Sequence, residues 1–226
     1  MRTDIRLQVS ATALAVTLAL TTTLGQPAMP RATPETVGMS TARLQEATAV
    51  LRQYVADRKI AGAVAAVARR GKLVYLEPVG FQSFESKAPM TARSLFRIYS
   101  MSKAVTAVAV MMLVDEGRIR LTDPASKYLP EFRNVMVQEG GVAAPRRPAR
   151  EIAVQDLLLH TSGLSHRTSE LYRRLRVRSR AIALPQFVAN ITQAPLLEDP
   201  GTRFRYSEAT TVLGRIVEVI STQSFD

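Results

Sequence analysis

Ser100 and Lys103 stand three residues apart in the segment Ser100-Met101-Ser102-Lys103. On a helix that spacing places both on one face, with about 5–6 Å between Cβ atoms. The run Ala104 to Val114, apolar apart from one threonine, follows directly, and Gly117 closes it as a C-cap would. Ser100 therefore sits at a helix N-terminus, where the macrodipole favours a developing negative charge. A lysine drawn out of water has its ammonium form disfavoured. A neutral amine beside a serine hydroxyl takes its proton and makes the oxygen a nucleophile. The same two residues also fit a serine N-cap followed by a surface lysine one turn later. The lysine interrupts the entry to a wholly apolar helix, and that placement favours chemistry.

Two other segments hold candidate groups. Tyr206 ends Pro200-Gly201-Thr202-Arg203-Phe204-Arg205-Tyr206, just before a last amphipathic helix carrying Val212, Leu213, Ile216, Val217 and Ile220. A tyrosine there serves either as a half-buried packing residue or as a proton carrier. His160 lies in Leu157-Leu158-Leu159-His160-Thr161-Ser162-Gly163-Leu164 and suggests a Ser-His-Asp triad. Ser162 is two residues from it, off the same helix face, and no G-x-S-x-G elbow occurs. His166 has no evident partner.

The elements that must position these groups read as follows. Residues 29–40 contain two prolines and a glycine and form a linker. Ser40 is a plausible N-cap, and Leu44, Ala47, Val50, Leu51 and Tyr54 predict an amphipathic helix over 41–57. Ile60 to Ala68 and Leu73 to Val79 predict a β-hairpin turned at Arg69-Arg70-Gly71-Lys72. The all-apolar helix after Lys103 predicts a buried central helix. Leu121-Thr122-Asp123-Pro124 opens a mainly helical stretch to about Asp199. A hairpin followed by helices reads as α+β, or α/β with a helical insertion. The expected organisation is a leader over 1–28, the linker, the N-terminal part of an α/β domain with the nucleophile helix over 41–120, a mainly helical subdomain over 121–199, and the tyrosine motif with its following helix over 200–226.

The leader has Arg2 and Arg6, then an uncharged apolar run from Val9 to Leu24, then Gly25 and Ala28. This is the layout of a secretory signal peptide, or a short anchor, and predicts a periplasmic or secreted protein. With no cysteine and two histidines in 226 residues, cysteine-ligated clusters and histidine cages are excluded, and no cofactor is expected. The net charge of +11 invites a nucleic-acid reading. Export argues against it, and the charge is local, with nine arginines against three acids between Arg146 and Arg180. That stretch is either a solvated helical face or a steering surface for anionic substrates or an anionic envelope surface.

These motifs together resemble the serine β-lactamase and penicillin-binding-protein superfamily, on the branch of class C β-lactamases and related esterases. The Ser100-x-x-Lys103 pair, the leucine-rich His160-Thr161-Ser162-Gly163-Leu164 block and the Tyr206 motif occur in that order. The resemblance spans about residues 41 to 224. It implies a β-lactamase/transpeptidase-like fold, an antiparallel sheet with packed helices plus a mainly helical subdomain. It implies that Ser100 is acylated by an ester, amide or β-lactam, with Lys103 and Tyr206 sharing the proton work. The backbone N–H of Ser100 would be half of an oxyanion hole, and the His160 block a structural turn. Two departures stand out. Glu208 occupies the position where β-lactamases of this branch usually carry an asparagine that holds substrate. A carboxylate there donates no hydrogen bond and repels a substrate carboxylate, which favours ester or amide work over β-lactams. Family members also continue past the tyrosine motif into further strands, so the chain is expected to be C-terminally truncated and poorly active. The alternative is a non-catalytic module of the same fold that binds envelope peptides or glycans.

Overall fold

The computed structural model describes residues 29–139, 143–177 and 181–225. The expected signal peptide, 1–28, lies outside the described residues. The chain divides into two compact units between Phe96 and Arg97, so the nucleophile helix belongs with the residues that follow it.

The first unit is a helix and a hairpin. Helix α1, Thr41–Ala56, starts where Ser40 caps it, the Oγ accepting from the Arg43 N–H at 3.3 Å. Strands β1, Gly62–Arg69, and β2, Lys72–Gly80, pair antiparallel, Arg69 opposite Lys72, with a bulge between Val67 and Ala68. Arg70 and Gly71 between them have φ of 51° and 71°. Two left-handed residues in a two-residue loop match the right-handed twist of the strands, and glycine takes that conformation at no steric cost. Thr48 of α1 and Tyr75 of β2 join hydroxyls at 2.6 Å, and Arg52 pairs with Glu77 at 2.9 Å. The linker is tied down: Leu73 exchanges backbone hydrogen bonds with Pro30 and Ala32, and Pro34–Val37 form a 3-10 turn.

The second unit is built on helices α2, Ser102–Asp115, and α6, Ala209–Ser221, which pack together. Short helices α3, Val154–Leu158, and α5, Leu184–Ile191, also pack on α6, and α4 spans Glu170–Arg174. Val212, Leu213 and Ile216 of α6 are buried and Val217 and Ile220 flank the core, as their spacing predicts. The remainder of 121–199 is held by turns and isolated bridges, Pro124 to Ala153 and Val137 to both Arg146 and Leu196.

One expectation needs correction. Helix α2 is not buried all round. Thr106, Val110 and Leu113 form the buried stripe, while Val105, Val108 and Met112 are 64%, 60% and 58% exposed. Apolar composition on every side shows that a helix can be enclosed. Only the stripe turned to a packing partner is enclosed among the described residues.

Candidate active site

Ser100 lies in a 3-10 turn, Tyr99–Met101, that leads straight into α2. Tyr99, just before it, has φ 46°, an uncommon conformation for a residue with a side chain. Such conformations persist where the surroundings impose them and cluster at working sites. The helical spacing delivers what the sequence implies: Lys103 Nζ donates to Ser100 Oγ at 3.2 Å. On the other side Ser100 Oγ and Tyr206 OH lie 2.9 Å apart. Lys103 Nζ also sits 4.9 Å from the Tyr206 ring centroid. One hydroxyl thus stands within hydrogen-bond reach of two groups able to move its proton.

Tyr206 is brought here by a lattice of backbone bonds between two distant segments. Arg205 N–H donates to His160 O at 2.7 Å, Gly201 N–H to Thr161 O at 2.8 Å, and Leu197 N–H to Gly163 O at 2.9 Å. Gly163 makes the last contact possible, with φ 79° and the space for a Cβ taken by the Glu198 carbonyl. Asp156 fixes the preceding turn. Its carboxylate is gripped by Arg150 at 2.6 and 2.8 Å and accepts from the Ala153 N–H and the Thr161 hydroxyl. Burial pushes the Asp156 carboxyl upward, but these donors outweigh it and hold it below the usual range.

His160 is a support for the tyrosine. Its ring lies 4.9 Å from the Tyr206 ring, tilted by 36°, with Phe204 edge-on at 6.0 Å. Nδ1 accepts from the Ser207 N–H at 3.3 Å, so this network assigns the ring proton to Nε2. Burial, then the Lys103 charge, pushes the His160 imidazole below its ordinary value. A neutral ring stacked beside a phenol positions it without competing for the proton. In the sequence, His160 has a structural place only through resemblance. This ring contact depends on two segments more than forty residues apart.

The Tyr206 phenol is held below the ordinary tyrosine value. Lys103 contributes most, then the Ser100 hydroxyl; slight burial opposes them, and the Lys103 and Arg167 charges add to the lowering. A phenol so placed yields its proton more readily than an ordinary tyrosine.

Glu208 does not join this group. It is 4% exposed, its Oε1 accepts from the Arg167 N–H at 3.4 Å, and its Oε2 accepts from the Thr211 hydroxyl at 3.4 Å. Its own N–H donates to Ser165 O at 3.2 Å. The expectation that it holds or repels substrate is therefore corrected. Two residues after Tyr206 the chain is at the N-cap of α6, and the carboxylate turns inward to the 165–167 loop. His166, for which the sequence offers no partner, places its ring 5.8 Å from that of Tyr206. Its nearness to the leucine-rich block is the available signal.

The chain has relatives among known proteins. The chain is 37% identical over 181 residues to Protein Rv1367c of Mycobacterium tuberculosis, covering 76% of this chain and 44% of that protein. It is 35% identical over 178 residues to esterase EstB of Burkholderia gladioli, covering 75% and 43%. The chain thus spans less than half the length of these relatives. Among solved structures, EstCE1, described as a hydrolase with promiscuous acyltransferase activity, superposes with a TM-score of 0.71 at 31% identity, over 80% of this chain and 48% of that one. Its fold is the β-lactamase/transpeptidase-like one that the motifs imply. The Beta-lactamase family model matches residues 47–226, and the chain belongs to that family.

Proposed function

We propose that the chain acts as a serine hydrolase on small esters or amides, through an acyl-enzyme on Ser100. One observation carries the reading: Ser100 Oγ lies 2.9 Å from Tyr206 OH and 3.2 Å from Lys103 Nζ. Tyr206, assisted by the neighbouring ammonium, takes the Ser100 proton as Oγ attacks the substrate carbonyl. The new Oγ–C bond forms and the carbonyl oxygen takes the negative charge, stabilised by the Ser100 N–H. As the carbonyl re-forms, the C–O or C–N bond to the leaving group breaks and the leaving group receives the proton. Water then attacks the acyl-enzyme by the reverse exchange, or an alcohol does so in acyl transfer. Esterase EstB and EstCE1 support ester chemistry for this chain.

Turnover by this chain is slow in this reading. Ser100 is exposed and Tyr206 is 42% exposed, so water reaches the reacting groups and weakens every charge interaction there. Export by a leader in residues 1–28 completes the proposal and rests on the sequence alone.

The test is covalent labelling. Intact mass should show one fluorophosphonate adduct, mapped to Ser100, and Ser100→Ala should abolish it and cut 4-nitrophenyl butyrate hydrolysis by about a thousandfold or more. An adduct elsewhere, or equal hydrolysis by Ser100→Ala, would remove the reading. No adduct with intact folding would favour a binding module. The labelling rate should rise with pH with a midpoint below 10, because the deprotonated phenol is the base and its value is lowered. Lys103→Ala should move that midpoint upward.

A further inference from the structure

Ser100 stands on a rim of exposed apolar side chains. Ile98, Tyr99 and Met101 flank it in the chain, and Tyr99 and Met101 are 76% and 72% exposed. Exposed Phe204 belongs to the same rim. Its ring lies edge-on to His160 at 6.0 Å, the His160 ring lies 4.9 Å from that of Tyr206, and the Tyr206 hydroxyl reaches Ser100 Oγ at 2.9 Å. Large apolar side chains grouped in water mark contact with a protein or a membrane.

Cations are threaded through this rim. Arg97 precedes Ile98, Arg203 precedes Phe204, and Arg167 follows His166, whose ring lies 5.8 Å from that of Tyr206. All three arginines are exposed and have no ion pair among the described residues. Arginines on neighbouring segments differ. Arg146 is taken by Asp199 and Glu139, Arg150 by Asp156, and Arg205 by Glu198. The acids of these segments are consumed in the same pairs, and Glu208 is buried against the 165–167 loop. The face around Ser100 thus carries apolar groups together with unpaired positive charge.

An anionic phospholipid surface fits both features. Its headgroups take the guanidiniums, the boundary below them takes the apolar side chains, and the arginine stems span the two. A nucleic acid or a sugar-phosphate polymer would take the charge and leave Ile98 and Met101 in water. A second copy of the chain would set one positive face against another across a two-fold axis. We infer that the rim of Ile98, Tyr99, Met101 and Phe204, with Arg97, Arg167 and Arg203, docks on an anionic lipid bilayer, with Ser100 turned to the membrane surface. Docking needs no turnover, so it stands apart from the acyl-enzyme reading. It also supplies a cover for the exposed Ser100 and Tyr206 hydroxyls.

The experiment is co-sedimentation of the full chain with vesicles of phosphatidylcholine, alone or mixed with phosphatidylglycerol, at low salt. The parent should partition to the mixed vesicles about tenfold or more above the neutral ones. Arg97→Gln and Arg203→Gln should each lower that partition about fivefold, the worth of one arginine at an anionic surface. Met101→Ser should lower it about tenfold through lost apolar burial. Arg70→Gln, the same loss of charge on the hairpin turn, should stay within about twofold of the parent, and so should Ser100→Ala. The chain has no cysteine, so one introduced thiol reports its own position. An environment-sensitive fluorophore on Met101→Cys should shift to the blue with mixed vesicles, and the same label on Arg70→Cys should not. Equal partition into both vesicle types would overturn the docking surface. So would a fall in Arg97→Gln no larger than in Arg70→Gln, or vesicle binding without a shift at position 101. A shift at position 101 produced by self-association without lipid, or by a charge-matched oligonucleotide as strongly as by vesicles, would overturn it too.

Discussion

The two units bury their apolar residues very differently. In 29–96, Val37 and Val79 are the buried apolar side chains among the described residues. In 97–225 one continuous cluster runs from Val110 of α2 through Leu157 and Phe187 to Ile216 of α6. The first unit is held mainly by local devices: a serine cap, a left-handed two-residue turn and strand pairing. The second is held by side chains that meet across long stretches of chain, and it carries Ser100, Lys103 and Tyr206. Apolar burial supplies about 25 cal/mol per Å², so the unit with the larger core holds the candidate catalytic groups on the more firmly packed frame.

Truncating one leucine in each unit is the strongest way to break that contrast. Leu213 is 1% exposed at the centre of the second core. Leu213→Ala should cost about 2–5 kcal/mol, the transfer term plus a cavity. Leu76 in β2 is only half-buried, and Leu76→Ala should cost about 1 kcal/mol or less. Urea unfolding of both variants measures the difference. Equal losses would show that the two units share one cooperative core.

Two glycines sharpen it further. Gly163 has φ 79°, and a Cβ there would meet the Glu198 carbonyl oxygen at 2.3 Å, inside the lattice that presents Tyr206. Gly163→Ala should cost about 2–4 kcal/mol, from left-handed strain together with a backbone shift. It should slow Ser100 labelling as well, because the shifted segment leads to the tyrosine. Gly71 has φ 71° with nothing within 4 Å of a Cβ. Gly71→Ala carries the conformational cost alone, about 1 kcal/mol. Thermal unfolding ranks the pair, and a reversed order would place the tighter packing in the first unit.

The same contrast divides the features that the amino-acid sequence makes legible from those it hides. The Arg70-Gly71 turn, the Ser40 cap and the Val212–Ile216 stripe are legible because each follows from a few neighbouring residues. Ser100 and Lys103 are legible for the same reason, since helical spacing alone brings them together. Tyr206 is reachable through resemblance, because its approach to Ser100 spans more than a hundred residues. The burial of Glu208, the His160 ring against the phenol and the loop holding Arg167 have no local signature. Each depends on where the 160–167 segment meets the 200–208 segment. The exposed face of α2 follows the same rule: composition marks it apolar, and only the packing partner selects which stripe is buried.

Acid titration separates the units by a smaller effect. In the second unit Asp123 is held down to about 2, first by the Tyr128 hydroxyl and then by Lys127, with burial opposing them. Asp156 and Asp199 are also held below the usual range. In the first unit Glu35 is lowered, chiefly by the Thr41 N–H, and it is fully exposed. A carboxyl lowered by folding binds fewer protons in the native chain than in the unfolded one. Its contribution is present above the unfolded value near 4 and is lost as pH falls towards 2. Asp123 keeps some contact with water, so its share after screening is on the order of 1 kcal/mol. Urea midpoints measured from pH 5 to pH 2 should therefore fall less steeply for Asp123→Asn than for the parent chain. For Glu35→Gln the slope should match the parent, because an exposed carboxylate on one N–H is well screened. A shallower fall in Glu35→Gln than in Asp123→Asn would mean that acid stability resides in the helix-and-hairpin unit, against the packing contrast drawn from the buried side chains.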